Sequence, residues 1–127
     1  MSEFVPFEIS KKLKEKGFKE ECVAYYTKDS DFYYNTSYGS DVENAFKSFN
    51  SRPNHIYGKR IDAPTISQVL KWLREEKKIH IGVLYHNYYA VWIQPMKRNE
   101  AEHVIHDCKT HEGAELEGIE FVLDNLI

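Results

Sequence analysis

Apolar residues recur along this chain with two spacings, about 3.6 residues and two residues, which are typical of helices and strands respectively. The helical spacing appears first in residues 7–16, where Ile9 and Leu13 lie one turn apart among lysines. Gly17 follows directly and suits the left-handed position that often ends a helix. We therefore predict a first helix over residues 7–16.

Two capping boxes, each a serine or threonine followed three residues later by Glu or Gln, predict the starts of two further helices. Ser40 with Glu43 precedes a short amphipathic segment, and Thr65 with Gln68 precedes a longer one. We expect the longer helix to end near residues 77–78, because the two lysines there suit the negative end of a helix dipole.

Five segments have the residue types of β-strands, and the clearest of them alternates between apolar and other side chains. Residues 22–27 and 32–36 flank a polar turn and predict one hairpin. Residues 79–85 and 89–94 flank a second turn and predict another hairpin, and residues 103–109 predict a fifth strand.

A last helix is predicted after Thr110, and Gly118 would let it approach the sheet closely. Its buried face comprises Ile119, Val122, Leu123 and Leu126. The element order is therefore α-β-β-(short α)-α-β-β-β-α, and strands in adjacent runs favour antiparallel pairing. We predict a single α+β domain over residues 1–127. Its mostly antiparallel sheet of about five strands, two hairpins plus one strand, packs against three main helices.

The composition narrows the class of protein without naming a function. The chain has 127 residues, of which 42% are hydrophobic and 29% charged, as in an ordinary globular domain. It has only two cysteines, and its first residues lack the basic and apolar regions of a signal peptide. We therefore expect a cytoplasmic protein with no membrane span. A net charge of −3 argues against nucleic acid as a partner.

Three stretches of the chain resemble a group of small, uncharacterised proteins encoded by gut Bacteroides and by their phages or prophages. They are EISKKLKEKGF at residues 8–18, APTISQVLKWLREEKKIHI at residues 63–81 and ELEGIEFVLDNLI at residues 115–127. The resemblance covers both ends and the middle of the chain and contains no catalytic motif. It implies a bacterial or phage cytoplasmic origin, and it assigns no functional residue.

Aromatic residues, including most of the nine tyrosines, gather in or beside the two predicted hairpins. If the hairpins are neighbours in one sheet, one face forms the core and the other presents aromatic rings. Such a face suits contact with a protein or stacking on a nucleobase. Alternatively, a helix covers that face and the rings belong to the core. The candidate binding residues are Tyr26, Tyr34, Tyr85, Tyr88, Tyr89 and Trp92.

His103, His106, Cys108 and His111 are four side chains of the kinds that bind zinc, close together in sequence. In a regular strand, His106 and Cys108 would share a face and His103 would point the other way, so all four could converge only in a loop. The spacing also lacks the paired ligands of structural zinc sites. We therefore predict no metal and no cofactor, with His106, Cys108 and His111 as the weak metal candidates.

The same segment could instead hold a nucleophilic cysteine, with His106 as the base for Cys108. Asp107 would point away from that pair, and no other acid is placed to orient the histidine. His80 and His86 flank the first strand of the second hairpin and could titrate or donate to a ligand. The chain has no phosphate-binding glycine loop and no hydrolase motif.

The residues leave three functional hypotheses open. The one we favour is a non-enzymatic, phage- or prophage-type accessory protein that binds a protein partner, with homo-oligomerisation through the same surface. It would use its tyrosine-rich face or an acidic stripe of the last helix formed by Glu117, Glu120 and Asp124. The alternatives are a small-molecule or signalling-nucleotide binding protein, and a metal- or cysteine-dependent enzyme.

Overall fold

A computed structural model describes residues 3–34, 50, 60–97 and 100–127 of the chain. The described elements are α1 (Phe7–Glu15), β1 (Ala24–Tyr26), β2 (Phe32–Tyr34), β3 (Ile61–Asp62), α2 (Ile66–Glu76), β4 (Ile79–Tyr85), β5 (Tyr89–Pro95), β6 (His103–Cys108) and α3 (His111–Asn125). They belong to two compact units, Met1–Thr65 and Ile66–Ile127. No helix in the described part of the chain is long and apolar enough to cross a membrane.

The first unit contains α1 and an antiparallel sheet with the strand order β2-β1-β3. Gly17 has a φ of 90° and ends α1 as predicted, and the Phe18 N–H closes the turn by donating to the Leu13 carbonyl oxygen at 3.0 Å. Both Leu13 and Phe18 are fully buried, so this helix end is also part of the core.

Asp62 is a buried acid, and both its carboxylate and its backbone N–H form hydrogen bonds with Asn50. The Asn50 backbone N–H donates to Asp62 Oδ2 at 3.1 Å, and the Asp62 N–H donates to Asn50 Oδ1 at 3.2 Å. The Asn50 amide also donates to the Phe18 carbonyl oxygen at 2.9 Å. The bond to Oδ2 offsets part of the cost of burying the carboxylate, since Asp62 is only 1% exposed.

The second unit is an antiparallel sheet with the strand order β4-β5-β6, packed against two helices. Helix α3 contacts all three strands, and α2 contacts β4 and α3. Thr110 caps α3 as predicted, accepting the Gly113 N–H at 2.9 Å. The predicted close approach at Gly118 is confirmed, because a Cβ there would lie 2.8 Å from Cγ2 of the buried Val91.

The predicted α+β class with three main helices and antiparallel strands is confirmed, but the strands form two sheets rather than one of about five strands. Alternation indicates which segments are strands and does not specify which strands pair. Strand β3 was not predicted, because its two residues are too few to show alternation. It pairs with β1 and completes a separate sheet. The short helix predicted at residues 40–49 lies outside the described residues.

Candidate functional site

Tyr26 and Tyr34 belong to an aromatic cluster in the first unit. The ring centroids of Phe4 and Phe32 lie 5.2 Å apart, and those of Tyr26 and Phe32 lie 5.4 Å apart. Tyr26 is half-buried, its hydroxyl donates to the Val5 carbonyl oxygen at 2.7 Å, and burial raises its pKa. Tyr26 is therefore a structural residue, whereas Tyr34 remains 62% exposed.

The opposite face of the first hairpin carries an arginine stacked on tyrosine. Tyr25 and Tyr33 are cross-strand partners with ring centroids 5.8 Å apart, and the Arg60 guanidinium lies 4.8 Å from the Tyr25 centroid. This distance is typical of a cation–π interaction. Arg60 has no local sequence signal for this role, because its tyrosine partner is distant along the chain.

Tyr85, Tyr88 and Tyr89 come together at the end of the second hairpin, as the predicted pairing of residues 79–85 with 89–94 requires. The Tyr85 and Tyr89 ring centroids lie 4.8 Å apart. The Tyr89 and His111 rings also pack edge to face with centroids 6.0 Å apart, and the Tyr88 and His106 rings do so with centroids 6.1 Å apart. These contacts tie the turn to β6 and to the start of α3.

The end of this hairpin, residues 84–89, is named here the hairpin tip. Leu84, Tyr85 and Tyr88 are 60%, 68% and 41% exposed, so three large apolar side chains face solvent within one short segment. Leu84 was not among the predicted binding residues. It shares a strand face with His80 and Gly82, and the few apolar residues on that face indicate that it points toward solvent.

Trp92 lies apart from the hairpin tip, on the sheet face opposite to the one that α3 covers. Its indole N–H donates to Glu102 Oε2 at 2.6 Å. Its ring and the His80 ring pack edge to face with centroids 6.1 Å apart. Trp92 is the cross-strand partner of Gly82, and a Cβ at Gly82 would lie 3.7 Å from the indole ring. The tryptophan therefore covers the glycine, a role that stabilises the sheet.

The predicted sharing of one strand face by His106 and Cys108 is wrong. Val91 pairs with Ile105 and Tyr89 pairs with Cys108, so β6 has an extra residue at a bulge, where Asp107 has a φ of 63°. The bulge returns Cys108 to the core face with Ile105, while His106 remains exposed. A cysteine–histidine pair is therefore not formed.

Cys108 is protected from reaction by its surroundings. It is 4% exposed, and its Sγ donates to Glu117 Oε2 at 3.0 Å. Burial and the neighbouring Glu117 carboxylate raise the pKa of Cys108 to about 11. The thiol stays protonated near neutral pH, whereas the thiolate is the form that attacks substrates and binds metals.

The weak metal candidates are not brought together. His111 Nδ1 lies 3.3 Å from Glu115 Oε1, while His106 contacts Tyr88 and Cys108 contacts Glu117. Across the described ranges, no group of three or more His, Cys, Asp or Glu side chains is arranged to hold a metal ion.

Comparison with family models, with curated proteins and with solved structures finds no match for this chain. A role for the hairpin tip is therefore inferred from its geometry and exposure.

Proposed function

We propose that this chain is a non-enzymatic binding protein that recognises a protein partner through the hairpin tip. The observation that carries the proposal is the exposure of Leu84, Tyr85 and Tyr88 in one segment. Tyrosine offers a large contact area with few rotatable bonds, and for this reason it is frequent among the residues that dominate binding energy.

The hairpin tip is held in place before any partner binds. Strands β4 and β5 pair over their full length of seven residues each, and Tyr89 packs between Tyr85 and His111 behind the turn. A surface that is already ordered loses less conformational entropy on binding than a flexible loop does. This support favours recognition by a fixed shape.

The resemblance to Bacteroides and phage proteins supports a partner of bacterial or phage origin in the cytoplasm. An accessory protein of this kind acts by occupying a surface of another protein, and it needs no reactive group. That role agrees with a Cys108 thiol that is buried and has a raised pKa.

The capture of partners from a Bacteroides lysate tests this proposal. Tyr88→Ser removes a large exposed side chain from the turn, outside both strands, and Met96→Ser is a matched control because Met96 is 48% exposed in the same unit. We expect a captured protein that the Tyr88 variant loses and the Met96 variant keeps. Capture that is equal for both variants, or no capture by the unmodified chain, would contradict the proposal.

A second candidate function, the binding of a small molecule or nucleotide, is favoured by Arg60 and the Tyr25–Tyr33 pair. The two rings are inclined by only 30°, and Tyr33 is 50% exposed, so a planar ring could stack beside a guanidinium. A thermal-shift screen with nucleotides tests this candidate. A shift that Tyr33→Ser abolishes supports it, and no shift with any nucleotide excludes it.

A further inference from the structure

Strand β4 forms one edge of the second sheet, and half of its backbone hydrogen-bonding groups point away from β5. The Met96 N–H donates to the Lys78 carbonyl oxygen at 2.8 Å, and the His86 N–H donates to the Tyr88 carbonyl oxygen at 2.9 Å. Because hydrogen-bonded pairs alternate along an antiparallel ladder, these two bonds define which β4 residues face β5. The residues that face outward are Ile79, Ile81, Val83 and Tyr85.

Over most of the strand, these outward groups have no hydrogen-bond partner among the described residues. Within the described ranges, no backbone hydrogen bond reaches Ile81, Val83 or Tyr85 from outside the sheet. The side chains of Ile81 and Val83 pack against the core cluster of Val91 and Cys108 but remain only half-buried. Among the described residues, the outward backbone groups of this edge therefore lack hydrogen bonds, and its apolar side chains are only partly buried.

Strand β4 also lacks the features of its own sequence that normally keep a sheet edge from pairing, although helix α2 contacts it. Such sequence features are charged residues, proline, a bulge or a very short strand. The sequence of β4, IHIGVLY, contains no Asp, Glu, Lys, Arg or Pro over its seven residues. The opposite edge differs, because β6 carries the bulge at Asp107 and its carboxylate. Of the two edges of this sheet, β6 is the one that carries protecting features in its own sequence.

We propose that β4 pairs in antiparallel fashion with β4 of a second copy of this chain, joining two three-stranded sheets into one of six strands. A two-fold axis at Gly82 would place Ile81 opposite Val83 of the second copy and would place the two Gly82 residues together. Ile79 then meets Tyr85 on the same face as this pair, Leu84 meets His80 on the other face, and no like charges face each other.

The second copy fits this edge for two reasons. An isologous interface requires a surface that is complementary to itself, and an uncharged strand with apolar residues at alternate positions meets that condition. Pairing would also complete the burial of Ile81 and Val83. Tyr85 belongs both to this edge and to the hairpin tip, but the two proposals can be tested separately because Tyr88 lies outside β4.

Two proline variants separate this edge from the other. Val83→Pro removes an outward N–H of β4 and leaves the bonds to β5 intact, and Val104→Pro does the same at the β6 edge. By light scattering after size exclusion, we expect a dimer for the unmodified chain, a dimer for the Val104 variant and a monomer for the Val83 variant.

Amide hydrogen exchange of the unmodified chain decides the question even if a proline variant fails to fold. We expect the amides of Ile81, Val83 and Tyr85 to exchange slowly at high protein concentration and rapidly after dilution, while Gly82 and Leu84 stay slow throughout. A monomer at every concentration, or a dimer in which these outward amides exchange rapidly, would overturn the proposal. Protection that arises only on adding another protein would overturn it too, since the occupant would then be a foreign strand.

Discussion

The two hairpins of this protein are both rich in aromatic residues, but they use them differently. In the hairpin of β1 and β2, Tyr26 packs among other rings and its hydroxyl donates to the Val5 carbonyl oxygen, whereas Tyr33 and Tyr34 of β2 are 50% and 62% exposed. In the hairpin of β4 and β5, Tyr85 and Tyr88 are 68% and 41% exposed. Their hydroxyls form no hydrogen bond to a described residue. The number of tyrosines in a hairpin therefore does not identify a binding surface, and each tyrosine has to be judged by its own exposure and hydrogen bonding.

The largest effect is expected where the first hairpin depends on its rings. Tyr26→Ala should lower the free energy of unfolding by about 2 kcal/mol, because it removes ring contacts and leaves the Val5 carbonyl oxygen without its donor. Urea denaturation measures this loss. Tyr34→Ala is the control, and an equal cost at this exposed position would show that burial does not distinguish the two tyrosines.

The close packing of α3 against strands β4 and β5 is tested by a substitution at Gly118. Gly118→Ala places a methyl group 2.8 Å from Val91 Cγ2 and 3.1 Å from Ile81 Cγ2, so those side chains must shift. Overpacking should cost about 2 kcal/mol, and the better helix propensity of alanine should return about 1 kcal/mol. The net loss in urea denaturation should be about 1 kcal/mol. A stabilised variant would mean that α3 does not approach the sheet this closely.

The pH dependence of stability tests the packing of Cys108 beneath α3. The pKa of its thiol is raised from 9.0 to about 11, so in that range the unfolded chain loses the proton while the folded chain keeps it. Stability should therefore fall as pH rises from about 9 to about 11. Because Glu117 is exposed and water screens its charge, we expect this loss to be smaller than the effects of packing changes.

Two variants isolate the contribution of Cys108 from that of the buried Cys22, whose pKa is also raised by burial. Cys108→Ala should make the alkaline loss of stability shallower. Glu117→Gln should lower the folded pKa of Cys108, so that the loss becomes smaller and ends at a lower pH, while Glu120→Gln on the same helix should leave it unchanged. Thermal melting across the alkaline range measures all three, and identical profiles for the Glu117 and Glu120 variants would contradict the assignment.

The smallest effect is expected at the hairpin tip. Tyr88→Ser should change the free energy of unfolding by no more than about 0.5 kcal/mol, because an exposed turn residue contributes little to the folded core. The same urea experiment measures it. A loss as large as that for Tyr26→Ala would show that Tyr88 is a structural residue, and the binding role of the tip would then lose its basis.

The sequence predicted the elements with local signals and missed those that depend on distant pairing. Gly17 ends α1 and Thr110 begins α3 because each acts through its own backbone geometry, which neighbouring residues reveal. The separate sheet completed by β3 and the bulge at Asp107 have no comparable signature, since both are defined by the strand opposite. The bulge also excludes the candidate catalytic pair, because it places Cys108 and His106 on different faces of β6.

The same distinction applies to the candidate binding residues. The sequence predicts that Tyr85, Tyr88 and Tyr89 lie close together, because both the alternation and the turn of the second hairpin are visible in it. Tyr26 and Trp92 were selected for their type, but their polar groups are already bonded, to the Val5 carbonyl oxygen and to Glu102. Such long-range bonds cannot be read from residue spacing.

A photo-crosslinking amino acid at position 88, introduced in a bacterial host, tests most directly whether the hairpin tip recognises a protein. The same amino acid at position 96 is the reference, because Met96 is comparably exposed in the same unit. We predict a discrete crosslinked product from position 88 and none of that mass from position 96. No product from position 88, or the same product from both positions, would contradict recognition through the hairpin tip.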